Sequence, residues 1–387
     1  MDNLRDRLGV ALAALLTCTA IGAAAAADPD AETRATMGEI FEALSFVLPL
    51  SLSDERFEDP ARREAISAAL RKLADNGARL EAHARSRDAG FGFLSGSLAR
   101  DSREILARYE AGRIPEARFL LHQVTDNCVA CHSRLPDDRE HPLGRRLMRD
   151  EAVAALPLDE RARLEMATRQ FDRALASHEA LFASTGSSPA DVDLMGHFDD
   201  YLEICIRVQQ DPKRPIPVFE KLAQRPDVPE ALRENLKLWI VSLRELSERK
   251  PARSPLAEAR ALLAMARDRS RFPDDRRALV YYVAASSILN RYVADRTLAA
   301  EKVGEAYYLL GVIESHVGRS FWLSQTEHYL DTAIRIAPGA PYAPEAYALF
   351  EEFVQSGHTG SARTAISPEM RQRLRELRAL IDSAQGT

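Results

Sequence analysis

Apolar residues recur every three or four positions through most of this chain, the spacing that gathers them on one face of an α-helix. Met37, Ile40, Phe41, Leu44 and Leu48 form the first such stripe. Ile66, Leu70, Leu73 and Leu80 form the second, opened by Asp59-Pro60 and weakened inside by Asn76-Gly77. A glycine-containing stretch near 89–92 separates a third, with Leu94, Leu98, Ile105 and Leu106. Gly112 and Pro115 mark the next turn, and the pattern predicts a fourth helix from about Pro115 to Leu135, stopped by Pro136. Along it Leu121, Val124, Cys128 and Cys131 step by three, four and three, an a/d seam. Residues 137–159 read as a connector, polar at DDRE and punctuated by Pro142, Gly144 and Pro157. Helices are expected again near 160–184, 192–210, 215–224, 229–248, 256–269, 274–293, 298–317, 321–337 and 342–356. The pattern predicts an all-α protein, with one helical unit over 28–136 and a second over 160–387.

Composition agrees. At 387 residues, 46% hydrophobic and 28% charged, the chain buries enough apolar surface to exclude disorder as its dominant state. Aromatics are sparse at 7%, which favours helix over sheet. A net charge of -6 gives no support to a nucleic-acid partner. Four cysteines in so long a chain exclude a disulfide-stapled scaffold. Arg5 and Arg7, the small and apolar run Val10–Ala27, and the polar Asp28-Pro29-Asp30 have the layout of a secretory signal peptide over 1–27, cleaved near Ala27. The rival readings are an uncleaved anchor over that run and a lipidated Cys18 after Leu15-Leu16-Thr17. No later segment has the apolar length of a membrane span. The expected location is the periplasm.

Cys128-Val129-Ala130-Cys131-His132 carries the chemistry. C-x-x-C-H is the attachment signature of haem c. Residues three apart share a helix face, so both thiols reach the two vinyl groups of one porphyrin edge. His132 is then aimed at the iron as proximal ligand. A thioredoxin-type disulfide should follow a strand and open a helix, whereas this motif ends a helical stretch. A zinc site needs further paired ligands, and no second C-x-x-C or H-x-x-x-H lies nearby. One motif implies one covalent haem. Cys205 shares a helix face with Tyr201 and Val208 and reads as a buried free thiol.

The terminal CVACH, its helical preface and Arg34-x-x-Met37 resemble the cytochrome c-prime family over about 28–140, under a third of the chain. The resemblance implies an antiparallel four-helix bundle. Low-spin members use a first-helix methionine as sixth iron ligand, the position Met37 matches; high-spin members leave it open. Met37 read from the pattern alone is equally a core filler. Where the family has an aromatic and then an arginine after the motif, this chain has Ser133-Arg134-Leu135-Pro136. Arg134 is thus either a propionate partner or a solvated helix-end cation. The competing arrangement is a class I cytochrome domain from about 115, with Met166 or Met195 as sixth ligand. His122 lies on the proximal helix and cannot reach the opposite haem face; His83 and His141 read as surface residues.

Residues 306–338 resemble a tetratricopeptide repeat, with Leu310-Gly311 matching its first helix and Leu330, Ala333 and Pro338 its second. Phe219, Leu222 and Pro226 give a weaker echo. Hairpins with one apolar face bury it by stacking, so a curved array with a concave binding surface is expected, the alternative being a compact helical domain. The expected function is an exported mono-haem carrier of single electrons that docks a periplasmic redox protein through its repeat domain. A gas-binding or sensing haem protein and a scaffold with an auxiliary haem are the alternatives. No hydrolytic grouping stands out. With six lysines in the chain, docking charges would fall to arginine.

Overall fold

Residues 29–84, 87–136, 142–184, 194–271, 275–295, 297–318, 325–357 and 366–386 are described by a computed structural model. The expected signal peptide, Cys18 and His141 lie outside them. Every regular element among the described residues is helical, so the all-α expectation holds. None of these helices is long and apolar enough to cross a membrane.

The first apolar stripe folds as α1, Pro29–Ser51, and buries Ile40, Ala43, Leu44, Val47 and Leu48. A short α2, Asp54–Glu58, follows, capped by the Ser53 side chain, which accepts from the Arg56 N–H. Pro60 opens a single 3-10 turn, and α3 then runs Arg63–Ala84. Asp88 caps α4, Ala89–Glu110, by accepting from the Phe91 N–H. Gly112, at φ 77°, ends α4 in a left-handed cap: its own N–H bonds the Tyr109 carbonyl and the Arg113 N–H the Arg108 carbonyl. Pro115 sits in the first turn of α5, Ile114–His132, where its missing N–H costs nothing. Helix α1 packs on α3, α3 on α4, α4 on α5, and α5 also touches α1. A Cβ at Gly77 would lie 3.2 Å from the Ala99 Cα, so glycine there permits the close approach of α3 and α4.

The expected connector contains two short helices, α6, Pro142–Leu147, and α7, Glu151–Ala154. Leu147, Met148 and Val153 join the same core as Ile40, Leu70, Leu98 and Leu121. The single helix expected over 160–184 is two: α8, Leu158–Ala167, and α9, Phe171–Ala183. The break is a left-handed cap built on Arg169, at φ 59°, in place of glycine. Its N–H bonds the Met166 carbonyl, and the Gln170 N–H bonds that of Glu165.

Helix α10, Leu194–Glu203, continues into one π-helical turn, Ile204–Val208. Then come α11, Pro215–Ala223; α12, Glu230–Glu248; α13, Pro255–Arg269; α14, Leu279–Val293; α15, Ala300–Val317; α16, Gln325–Ile336; and α17, Ala343–Gly357. A last helix, α18, Pro368–Gln385, falls in the stretch to about 383 that reads as helical, beyond the last helix the pattern delimits. Helix α11 pairs with α12, and each of α13 to α17 pairs with the next helix; α12–α14, α13–α15, α15–α17 and α16–α18 also touch. Phe182, Phe198, Tyr201, Phe219 and Trp239 form the aromatic centre of the larger core. Helix α16 packs across onto α4.

Candidate functional site

The seam of α5 is fully buried at Leu121 and Val124 and opens at Cys128, Cys131 and His132, which are partly buried. A cavity of about 530 Å³ lies at this end. Cys128 and His132 line it from α5, and Thr33, Arg34, Met37 and Phe41 from α1. Gly144 and Leu147 of α6, and Leu164, Ala167, Thr168 and Arg169 at the end of α8, close its far wall. The walls are mostly apolar and the volume is that of an organic-ligand site. It is built on both sides of the expected connector.

The His132 ring is oriented by the backbone. Its Nδ1 lies 2.8 Å from the Ala167 carbonyl oxygen. A carbonyl oxygen only accepts, so Nδ1 carries the proton and donates, and Nε2 is the nitrogen with a lone pair for a metal. The carbonyl is available because Ala167 ends α8, and the last carbonyls of a helix have no intrahelical donor. A ligating histidine anchored in this way is the usual outer-shell arrangement at metal sites.

Burial pushes the Cys128 thiol up to about 12, with Cys131 and Asp126 adding to the effect. Burial also raises the Cys131 thiol, against the opposing charge of Arg134. Both sulfurs are therefore protonated near neutral pH. Redox dithiols work as thiolates in electropositive surroundings, the opposite condition.

Cys131 is not among the residues that line the cavity. Nor is Arg134, whose expected place was a propionate or open solvent. It is buried, 6% exposed, with its Nη2 2.8 Å from the Asp88 Oδ1. Arg169 lines the cavity instead, and nothing in the sequence pattern marked it. Met37 shares the cavity with His132. Met166 is fully buried in the larger core and Met195 packs against that core, and neither lines the cavity. The His122 Nε2 lies 3.0 Å from the Ser51 Oγ, away from the cavity. His83 pairs with Glu32 at 2.6 Å. Cys205 is fully buried and has no disulfide partner among the described residues. Comparisons with protein-family profiles, with curated proteins and with solved structures find no match to the chain.

Proposed function

We propose that the chain is an exported c-type cytochrome with one covalent haem, carrying single electrons and docking a periplasmic redox protein through its C-terminal helices. The observation that carries this is the His132 ring, oriented by the Ala167 carbonyl so that Nε2 bears the lone pair, at the edge of an apolar cavity that Cys128 also lines. The cavity's volume of about 530 Å³ and its mostly apolar lining support an apolar macrocycle as the occupant. Haem supplies a one-electron iron couple when bound.

The remaining work falls to this chain's residues. Cys128 and Cys131 would hold the haem through thioether bonds to its two vinyl groups. His132 would hold the iron, and Met37 on α1, lining the same cavity, would offer its thioether sulfur to it. Ile40, Leu44, Leu48 and Leu164 keep water from the site. Arg34 and Arg169 bring guanidinium groups to an otherwise apolar wall, suited to the propionates. The packing of α1 on α3, α3 on α4 and α4 on α5 supports the four-helix bundle, and the next-but-one contacts from α12 to α18 support the stacked array.

The test is optical spectroscopy of purified protein after acid–acetone extraction. Wild type should keep its haem, and the Cys128→Ala/Cys131→Ala chain should lose it. Oxidised wild type should be six-coordinate and low-spin, and Met37→Ala should turn high-spin. A wild type that is already five-coordinate would replace the Met-ligated electron carrier with a gas-binding haem protein. A wild type that releases its haem on extraction would end the proposal.

A further inference from the structure

Three metal-ligating side chains converge away from the cavity, where α9 meets α10. His178 is on α9, and His197 and Asp200 are on α10. Three residues apart, His197 and Asp200 share one helix face. A ring nitrogen of each histidine and a carboxylate oxygen of Asp200 all lie within 4.8 Å of one another. The two imidazole centroids are 5.4 Å apart and tilted by 59°. His178 is 0% exposed and Asp200 1%, and His197 is partly buried. Phe182 and Tyr201 pack around His178, with centroids 6.1 and 6.2 Å from its ring.

A buried carboxylate with two imidazole nitrogens in reach offers the negative charge and the borderline nitrogen donors that a divalent transition metal takes. We propose that His178, His197 and Asp200 form a binding site for a divalent transition-metal ion, with zinc its best match. Two imidazole nitrogens and one carboxylate oxygen are a zinc donor set that leaves the fourth tetrahedral position for water. Bonds of about 2.0–2.2 Å to zinc draw the three atoms inward by roughly 1 Å. Among divalent first-row ions, such a nitrogen-rich site favours zinc and copper over manganese and iron.

The ion ties α9 to α10. Helix α9 is already tied to α8 by the Ser177 hydroxyl, which donates to Glu165 at 2.7 Å. The site thus braces the corner whose α8 end carries the Ala167 carbonyl. It stands without the haem reading, since no residue is shared.

The experiment uses untagged full-length protein, stripped with EDTA, dialysed and titrated with zinc chloride. Zinc and iron are counted separately by elemental analysis. Wild type should retain one zinc per chain whatever its iron content. Asp200→Asn and His197→Gln should each weaken zinc binding at least tenfold, with far-UV circular dichroism unchanged. Cobalt(II) in wild type should give intense tetrahedral bands in the visible range that both variants lack. If Asp200→Asn unfolds, His197→Gln, at a partly exposed position, makes the same comparison. Folded wild type that retains no zinc overturns the proposal, and so do variants that bind zinc as tightly as wild type.

Discussion

Two glycines inside helices have opposite surroundings. At Gly92 in α4 no heavy atom lies within 4 Å of where a Cβ would sit. At Gly311 in α15 the Leu330 Cδ2 would be 2.5 Å away and its Cγ 2.7 Å. Alanine favours a helix over glycine by about 1 kcal/mol, so Gly92→Ala should gain about 0.5–1 kcal/mol. Gly311→Ala has the same gain, but it drives a methyl group into a leucine that is 0% exposed. Overpacking a tight core costs about 1–3 kcal/mol, so the net change should be a loss of roughly 1 kcal/mol. Urea unfolding of the two variants beside wild type checks both signs; a stabilised Gly311→Ala would mean that α15 and α16 separate easily. Two residues near the cavity show a similar dependence on local geometry. Arg169 holds a left-handed cap that usually takes glycine, and through it the chain turns at Ala167, whose carbonyl orients His132. No side-chain pattern marks a backbone carbonyl, so this contact was invisible in the sequence. The cavity residues on α1 and α5 were visible, because Met37, Arg34, Cys128 and His132 lie on elements whose phase the apolar stripes define.

Helices α4 and α16 meet through one histidine. His328 stacks on Phe93, with ring centroids 4.5 Å apart, and its Nε2 donates to the Ala89 carbonyl at 2.9 Å. Burial holds the ring down at about 4, below the ordinary 6.5; Asp331 on its own helix opposes this, and Arg373 of α18 and Arg134 after α5 reinforce it. Between those two values the unfolded chain takes up a proton that the folded chain does not. Stability from this group is therefore complete above pH 6.5 and is lost as pH falls towards 4. The ceiling is about 3 kcal/mol at 1.36 kcal/mol per unit. Gln at 328 keeps an N–H donor and does not titrate. His328→Gln should flatten the fall in urea-unfolding stability between pH 6.5 and pH 4 relative to wild type. Identical pH profiles would show that the ring titrates without strain at this contact. Elements of this length were mostly legible. The stripes place α1, α3, α4, α5 and α11 to α17 within a few residues. The failures have physical causes. Pro142 and Gly144 read as breakers, yet Pro142 takes the first position of α6, where proline is favoured. Helix α18 buries only Leu374, Leu377 and Ile381 among many charged residues, too thin a stripe to stand out.

At the scale of the whole chain, the N-terminal and C-terminal helices meet across charges as well as apolar side chains. Arg207, in the π turn after α10, is 5% exposed. Its Nη1 lies 3.2 Å from Glu203, its Nη2 3.8 Å from Glu314 of α15, and its Nε donates to the Ser286 hydroxyl of α14 at 2.8 Å. Glu203 in turn accepts from the Ser133 hydroxyl at 2.9 Å, one residue beyond His132. One guanidinium thus links α14 and α15 to the end of α5. Removing it takes the guanidinium from two buried carboxylates, and breaking a buried pair from one side costs about 3–5 kcal/mol. Arg207→Ala should lower unfolding stability by that amount. Arg207→Met, in a chain that also carries Glu203→Gln and Glu314→Gln, should recover most of it, because the uncompensated charges are gone. Hydrogen exchange locates the effect. If the two halves unfold together, Arg207→Ala will speed exchange at the C-terminal turns of α5 as much as in α14 and α15. Faster exchange confined to α14 and α15 would mean that the helices bearing Cys128 and His132 hold their fold alone, and that the Ser133–Glu203 bond is a contact between two separately stable units.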